Sequence, residues 1–113
     1  MDVKARQILI LKLDDDLSPF EDWVDSLGDS TLIRAIDSRI TRIRDGNFGD
    51  HKVIGDGVLE LRIHKGPGLR VYYALDGDNL VLLLGGGDKS NQDKNIKEAK
   101  YFWRKYKNEN RRL

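Results

Sequence analysis

The chain has 113 residues, enough for one domain with a hydrophobic core and too few for two, so we expect a single domain over residues 1–113. Charged residues make up 35% of the sequence, hydrophobic residues 39%, and the formal net charge is +1. Because the chain has no cysteine and its longest apolar run (residues 80–84) is far too short to cross a bilayer, we expect a cytoplasmic protein with no thiolate metal site and no membrane partner.

The first half of the chain predicts one strand and two helices. Residues 6–13 alternate between two partly apolar sets, which favours a strand. Ser18, Pro19 and Glu21 form a helix start with a capping box, and Gly28 supplies a left-handed stop. A second apolar stripe at helical spacing follows at once: Leu32, Ile33, Ile36, Ile40 and Ile43. So short a connection predicts an αα-hairpin.

The middle of the chain predicts a link and three strands. We interpret residues 47–57 as a turn-rich link, because three of them are glycines that suit neither a helix nor a strand. Two alternating strands then meet at Gly66-Pro67, and a third, residues 80–84, ends in three glycines.

Two arginines in these strands are the main functional signal. Side chains alternate faces along a strand, so Glu60, Arg62 and His64 share one face, and Arg70 and Tyr72 share one face of the next strand. If the apolar faces meet the core together, Arg62 lies opposite Arg70 or one pair along. Like charges across a strand pair repel. We interpret the pair as an anion site, with a surface ion-pair network through Glu60 as the alternative.

The last segment predicts a basic helix. Its apolar stripe begins after a cap at Ser90 or Asn91 and contains Ile96, Ala99, Trp103 and Tyr106. From residue 89 onward Lys and Arg outnumber Asp and Glu by nine to three, whereas the first 88 residues hold eleven against sixteen. A polyanionic partner and a simple solvated helix face are equally compatible with this charge.

Other motifs argue against cofactors. The stretch GGGDKS resembles a phosphate-binding loop, but Lys89 follows Asp88 rather than glycine, so the P-loop pattern fails. Two histidines without cysteine leave no zinc site. We therefore expect no cofactor and no metal. His51 is interpreted as an exposed histidine without a task.

Four linked motifs carry a family resemblance: GNFGDHK, GDGVLELRI, GPGLRVYY and LLLGGGDKSNQDKNI. Together they resemble the HigB-like branch of the RelE/ParE toxin superfamily, and the likeness covers nearly the entire chain. It implies an α+β fold with an N-terminal strand, an αα-hairpin packed on a mainly antiparallel four-stranded sheet, and a C-terminal helix.

The resemblance also implies a function. The chain would be the toxin of a type II toxin–antitoxin system, an endoribonuclease that cleaves mRNA in the ribosomal A site. Its partners would be the ribosome, mRNA and a cognate antitoxin, a helix-turn-helix protein. The alternatives are a DNA gyrase inhibitor that acts by binding, as ParE-type relatives do, and an inactive toxin fold that binds only antitoxin or nucleic acid.

The predicted chemistry is metal-free cleavage through the ribose 2′-hydroxyl. Arg62 and Arg70 would stabilise the phosphorane, Lys52 or Glu60 would assist removal of the 2′ proton, and His64 or Lys89 would protonate the leaving oxygen. Tyr72 would orient a base. The predicted RNA contacts are Tyr72, Lys65 and Lys94.

Overall fold

The computed structural model describes residues 5–110, which form a mixed five-stranded sheet and three α-helices. The α+β class is as predicted. A short 3₁₀ turn, Lys89–Asn91, precedes the last helix. The elements in chain order are β1 (Gln7–Ile10), α1 (Pro19–Leu27), α2 (Ser30–Arg44), β2 (His51–Gly55), β3 (Val58–Ile63), β4 (Leu69–Asp76), β5 (Leu80–Gly87) and α3 (Gln92–Asn110).

The predicted cap and stop of the first helix are confirmed, and the second helix has a cap of its own. The Ser18 hydroxyl accepts a hydrogen bond from the Glu21 amide at 3.2 Å, and Gly28 ends α1 in the left-handed region with φ of 63°. Asp29 then caps α2 by accepting from the Thr31 amide at 2.8 Å. With only two residues between the helices, the predicted helix pair is confirmed.

The sheet has the order β1-β5-β4-β3-β2, with β1 parallel to β5 and the other pairs antiparallel. We predicted four strands, and β2 is the one that was missed inside the link at residues 47–57. Asp56 and Gly57 both have positive φ, as the two central residues of a type I′ hairpin turn require. The sequence therefore carried an Asp-Gly hairpin signal that the surrounding glycines obscured.

Both faces of the sheet are covered by helices. On one face Phe20 of α1 and Ile36 and Ile43 of α2 join the buried side chains of Leu61, Val71, Tyr73, Val81 and Leu83. On the other face Ala99 and Trp103 of α3 cover Val58, Tyr72, Ala74, Leu82 and Leu84. The second face was predicted to be polar, and it is polar only at the end that carries Arg62 and Arg70. The unbroken apolar run at the start of β5 is what a strand buried on both faces requires.

Within residues 5–110 the model contains no helix that combines the length and the apolar character needed to span a bilayer.

The glycines that end β5 belong to the sheet and make room for helices. A Cβ atom on Gly86 would collide with the indole ring of Trp23 in α1, whereas a Cβ on Gly85 would meet nothing closer than Pro19 Cβ at 4.0 Å. Helix α1 therefore packs directly against the β5 backbone.

This packing predicts that Gly86→Ala lowers the free energy of unfolding by about 1–3 kcal/mol, the usual cost of overpacking a rigid contact. Gly85→Ala is the matched control and should change it by less than about 0.5 kcal/mol, as for ordinary surface substitutions. Urea unfolding followed by tryptophan fluorescence measures both. Equal stability of the two variants would contradict the proposed contact.

Candidate functional site

A cleft of about 480 Å³ lies at the end of the sheet where the β3–β4 turn meets the segment after β5. The turn residues Gly66, Pro67 and Gly68 form one wall. Four ionisable side chains line the cleft: Arg62, His64, Arg70 and Lys89. Two strands, β3 and β4, the turn between them and the segment after β5 therefore contribute to the site.

Arg62 and Arg70 are Cα partners across β3 and β4, so their side chains leave the sheet on the same face. The predicted register is confirmed. The side chain of Arg62 is 37% exposed and that of Arg70 is 11% exposed. Arg62 Nε and the Nε and Nη1 atoms of Arg70 are buried and have no hydrogen-bond partner among the described residues. These donors are closed to solvent, so an anion in the cleft would meet only the exposed part of each guanidinium group.

The carboxylate of Glu60 lies between the two arginines and is 1% exposed. Its Oε1 atom is 3.6 Å from Arg62 Nε and its Oε2 atom is 3.5 Å from Arg70 Nε. Gln92, the first residue of α3, donates a hydrogen bond to Oε2 at 3.1 Å. The ion-pair network that was the alternative interpretation therefore exists, although Glu60 is buried and does not line the cleft.

His64 lies beside Arg62 and forms a short contact with Asp50, in which Nε2 and Oδ2 are 2.5 Å apart. The hydrogen bond with His64 lowers the pKa of Asp50, and the positive charges of Arg62 and Arg39 lower it further. Asp50 was not predicted as a site residue. Its place next to His51 in the GNFGDHK motif was the only sequence signal.

Arg39 of α2 connects that helix to the backbone around Asp50 and Arg62. Its Nη1 atom donates to the backbone oxygen of Arg62 at 2.7 Å, and Nη2 donates to the oxygens of Phe48 and Asp50 at 3.4 and 3.3 Å. Gly49 has φ of +61° and lies against the same guanidinium, where a Cβ would approach Nη2 to 2.7 Å. This clamp was also missed, because an arginine in a helix pattern looks like surface.

The structure does not bring every predicted residue to the cleft. Lys52 is exposed on β2 opposite Glu60 in register, but it does not line the cleft. Lys65 is exposed in the β3–β4 turn. Lys94 lies in the first turn of α3 and lines a neighbouring depression that shares Lys89 with the cleft. The lysines thus surround the site rather than fill it.

Two predicted roles conflict with burial. Tyr72 is 1% exposed beneath α3, so it has no free ring face on which a base could stack. Burial raises the pKa of Tyr72, and the adjacent Glu60 charge raises it further. Glu60 is equally buried, so it cannot reach a ribose hydroxyl in the cleft. Both predictions assumed an uncovered sheet face, and the apolar stripe of α3 covers it.

Over residues 5–110 no three His, Asp or Glu side chains are grouped closely enough to hold a metal ion.

Two comparisons with known proteins show what the chain is similar to. The family model described as Phage derived protein Gp49-like (DUF891) matches residues 23–106. An uncharacterized protein of Haemophilus influenzae is 49% identical over 81 residues, which are 72% of this chain and 82% of that protein. The family match includes every residue that lines the cleft.

We predict that Glu60→Gln lowers the free energy of unfolding by about 1–3 kcal/mol, because two guanidinium groups then face each other without the carboxylate between them. The partial exposure of Arg62 screens its share of the loss. Glu98→Gln on the exposed side of α3 removes the same charge and should be neutral. Urea unfolding of the two variants measures the difference, and equal stabilities would show that the Glu60 ion pairs contribute nothing.

Proposed function

The chain belongs to the Phage derived protein Gp49-like family, and from this premise we propose that it is the toxin of a toxin–antitoxin pair and that it cleaves RNA. The Gp49-like family is associated with toxins of toxin–antitoxin systems. The finer proposal places the chain in the HigB-like branch, whose resemblance rests on the four sequence motifs. The target in that case is mRNA in the A site of the ribosome.

The observation that carries the proposal is the arginine pair. Two guanidinium groups at one register position line a cleft that also contains Lys89. Guanidinium matches the geometry of phosphate oxygens and stays charged at every relevant pH. One buried carboxylate neutralises only part of this charge, so the cleft favours an anion.

A phosphodiester in this cleft supports a simple reaction. The ribose 2′-oxygen attacks phosphorus, the bond from phosphorus to the 5′-oxygen breaks, and the products are a 2′,3′-cyclic phosphate and a 5′-hydroxyl. Arg62 and Arg70 stabilise the charge that develops on the pentavalent phosphorus centre. Lys89, which also lines the cleft, supplies the proton to the leaving 5′-oxygen.

The neighbouring lysines suggest a path for the strand. Lys65 is exposed in the turn that forms one wall of the cleft, and Lys94 lines the neighbouring depression that shares Lys89. Phosphates on both sides of the cleaved bond would contact these cations. Binding of RNA should then weaken steeply as salt concentration rises.

The family suggests an antitoxin as a partner. We propose that this partner is a helix-turn-helix protein. The toxin that is not bound to its antitoxin would have the ribosome and mRNA as its partners.

We predict that Arg70→Ala lowers the rate of mRNA cleavage by about 10²–10³-fold, the usual loss when one donor to a developing charge is removed. Cleavage is measured in an in vitro translation reaction by primer extension, and the cyclic phosphate is identified on the product. Arg70→Lys keeps the charge but loses the forked donors, so its cleavage rate should lie between those of the wild type and Arg70→Ala. Lys97→Ala on α3 is the control outside the cleft.

The outcomes separate the alternatives. Urea titration first establishes that both proteins are folded. Cleavage by Arg70→Ala at the wild-type rate would then reject the arginine assignment. Inhibition of gyrase supercoiling by a wild-type protein that leaves mRNA intact would reject RNA cleavage altogether.

A further inference from the structure

His64 differs from the other ionisable groups that line the cleft. Arg62, Arg70 and Lys89 carry guanidinium and ammonium groups, which are hydrogen-bond donors without an acceptor atom. The imidazole of His64 is the side chain of this set whose chemistry suits a general base at neutral pH. The two bases predicted from sequence are not available, because Lys52 does not line the cleft and Glu60 is buried.

The position of His64 is determined by Asp50. Asp50 immediately precedes β2, and His64 immediately follows β3, the strand paired with it. The Arg62 amide donates to the Asp50 carbonyl oxygen at 3.0 Å, and Arg39 donates to the same oxygen at 3.3 Å. The Asp50 carboxylate is therefore anchored through its own backbone beside the imidazole that it contacts.

The contact also determines which ring nitrogen carries the proton. An ionised carboxylate only accepts hydrogen bonds, so the neutral imidazole must donate from Nε2 to Asp50. The lone pair is then on Nδ1, the other nitrogen of the ring. A carboxylate that holds an imidazole in one tautomer is the arrangement found in catalytic triads.

We propose that His64 Nδ1 is the general base of the RNA cleavage described above and that Asp50 is the positioning residue that holds it in the required tautomer. This inference rests on the proposed function. Nδ1 takes the proton of the ribose 2′-hydroxyl as its oxygen bonds to phosphorus. As the bond to the 5′-oxygen breaks, Lys89 protonates that oxygen. Solvent then returns a proton to Lys89 and removes one from His64, so the protein is regenerated.

The charged groups around the imidazole come from each element at this corner. They are Asp50 before β2, Arg62 on β3, Lys65 in the turn, Arg70 on β4, Lys89 after β5 and, behind Asp50, Arg39 of α2. The pKa of Asp50 lies below its usual range, so its carboxylate is ionised at neutral pH and accepts the hydrogen bond from the imidazole.

The tautomer is measured directly by long-range ¹H–¹⁵N spectra of the free protein at about pH 8, above the reference pKa of imidazole. The chain has only two histidines, so His64→Gln assigns both signals. His51 is an internal contrast, because its Nδ1 atom lies 2.9 Å from the Gly49 carbonyl oxygen and must donate to it. We expect His64 with its proton on Nε2 and His51 with its proton on Nδ1. In Asp50→Ala, the imidazole of His64 should become a mixture of the Nε2-protonated and Nδ1-protonated tautomers. A wild-type His64 protonated on Nδ1 would overturn the proposal.

Cleavage assays with folded variants test the catalytic role. His64→Gln should lower the rate by about 10²–10⁴-fold and remove the decline of activity at low pH that a base requires. Asp50→Asn keeps an acceptor without the charge and should lower the rate by about 10–10²-fold, less than loss of the base itself. The double variant should be no slower than His64→Gln alone, because Asp50 acts through His64. His51→Gln should cleave at the wild-type rate.

These results distinguish two kinds of failure. Full activity in His64→Gln, together with loss in Arg70→Ala, would overturn the base assignment and leave the proposed function intact. Losses for Asp50 and His64 that multiply in the double variant would overturn the positioning role. A wild-type protein that cleaves no RNA during translation would overturn both the inference and the proposed function.

Discussion

The buried carboxylate of Glu60 makes it possible for two arginines to occupy one register position on neighbouring strands. Arg62 and Arg70 would repel each other across β3 and β4, and the oxygens of Glu60 lie within 3.6 Å of both Nε atoms. One negative charge compensates the pair only in part, so positive charge remains at the mouth of the cleft. Gln92 and the apolar face of α3 keep the carboxylate away from water, so the last helix influences the site although it does not line the cleft.

The helices on the opposite face have a comparable influence. Arg39 reaches from α2 to the backbone oxygens of Arg62 and Asp50, so the clamp spans two neighbouring strands at the corner of the cleft. The absence of a side chain at Gly49 leaves room for the guanidinium group of Arg39. In the RNA-cleavage proposal, arginines provide charge and the Asp50–His64 pair provides proton transfer. The arginine pair and the Asp50–His64 pair are joined by a backbone hydrogen bond from Arg62 to Asp50. A change that shifts the clamp should therefore disturb both.

The sequence predicted features that depend on local pattern. The cap at Ser18 follows from a local motif, the pairing of Arg62 with Arg70 follows from strand alternation, and both are confirmed. Strand β2 was missed because its pairing with β3 supplies the stability that its own residues lack. The burial of Tyr72 was missed for a related reason: alternation separates two faces of a strand but does not say which face a distant helix will cover. Asp50 is a residue whose importance arises only from a contact between chain positions 50 and 64.

The length of β5 has a practical consequence for attaching the protein to a surface. Gln7 and Leu80 are register partners at one end of the sheet, whereas Gly87 and Arg70 are partners at the other end. Eight residues of extended chain separate these ends by about 25 Å, at roughly 3.3 Å per residue. The exposed turn at Gly77 and Asp78 is therefore a suitable tether point for a biosensor or pull-down matrix, because a linker fixed there leaves the guanidinium pair facing solution.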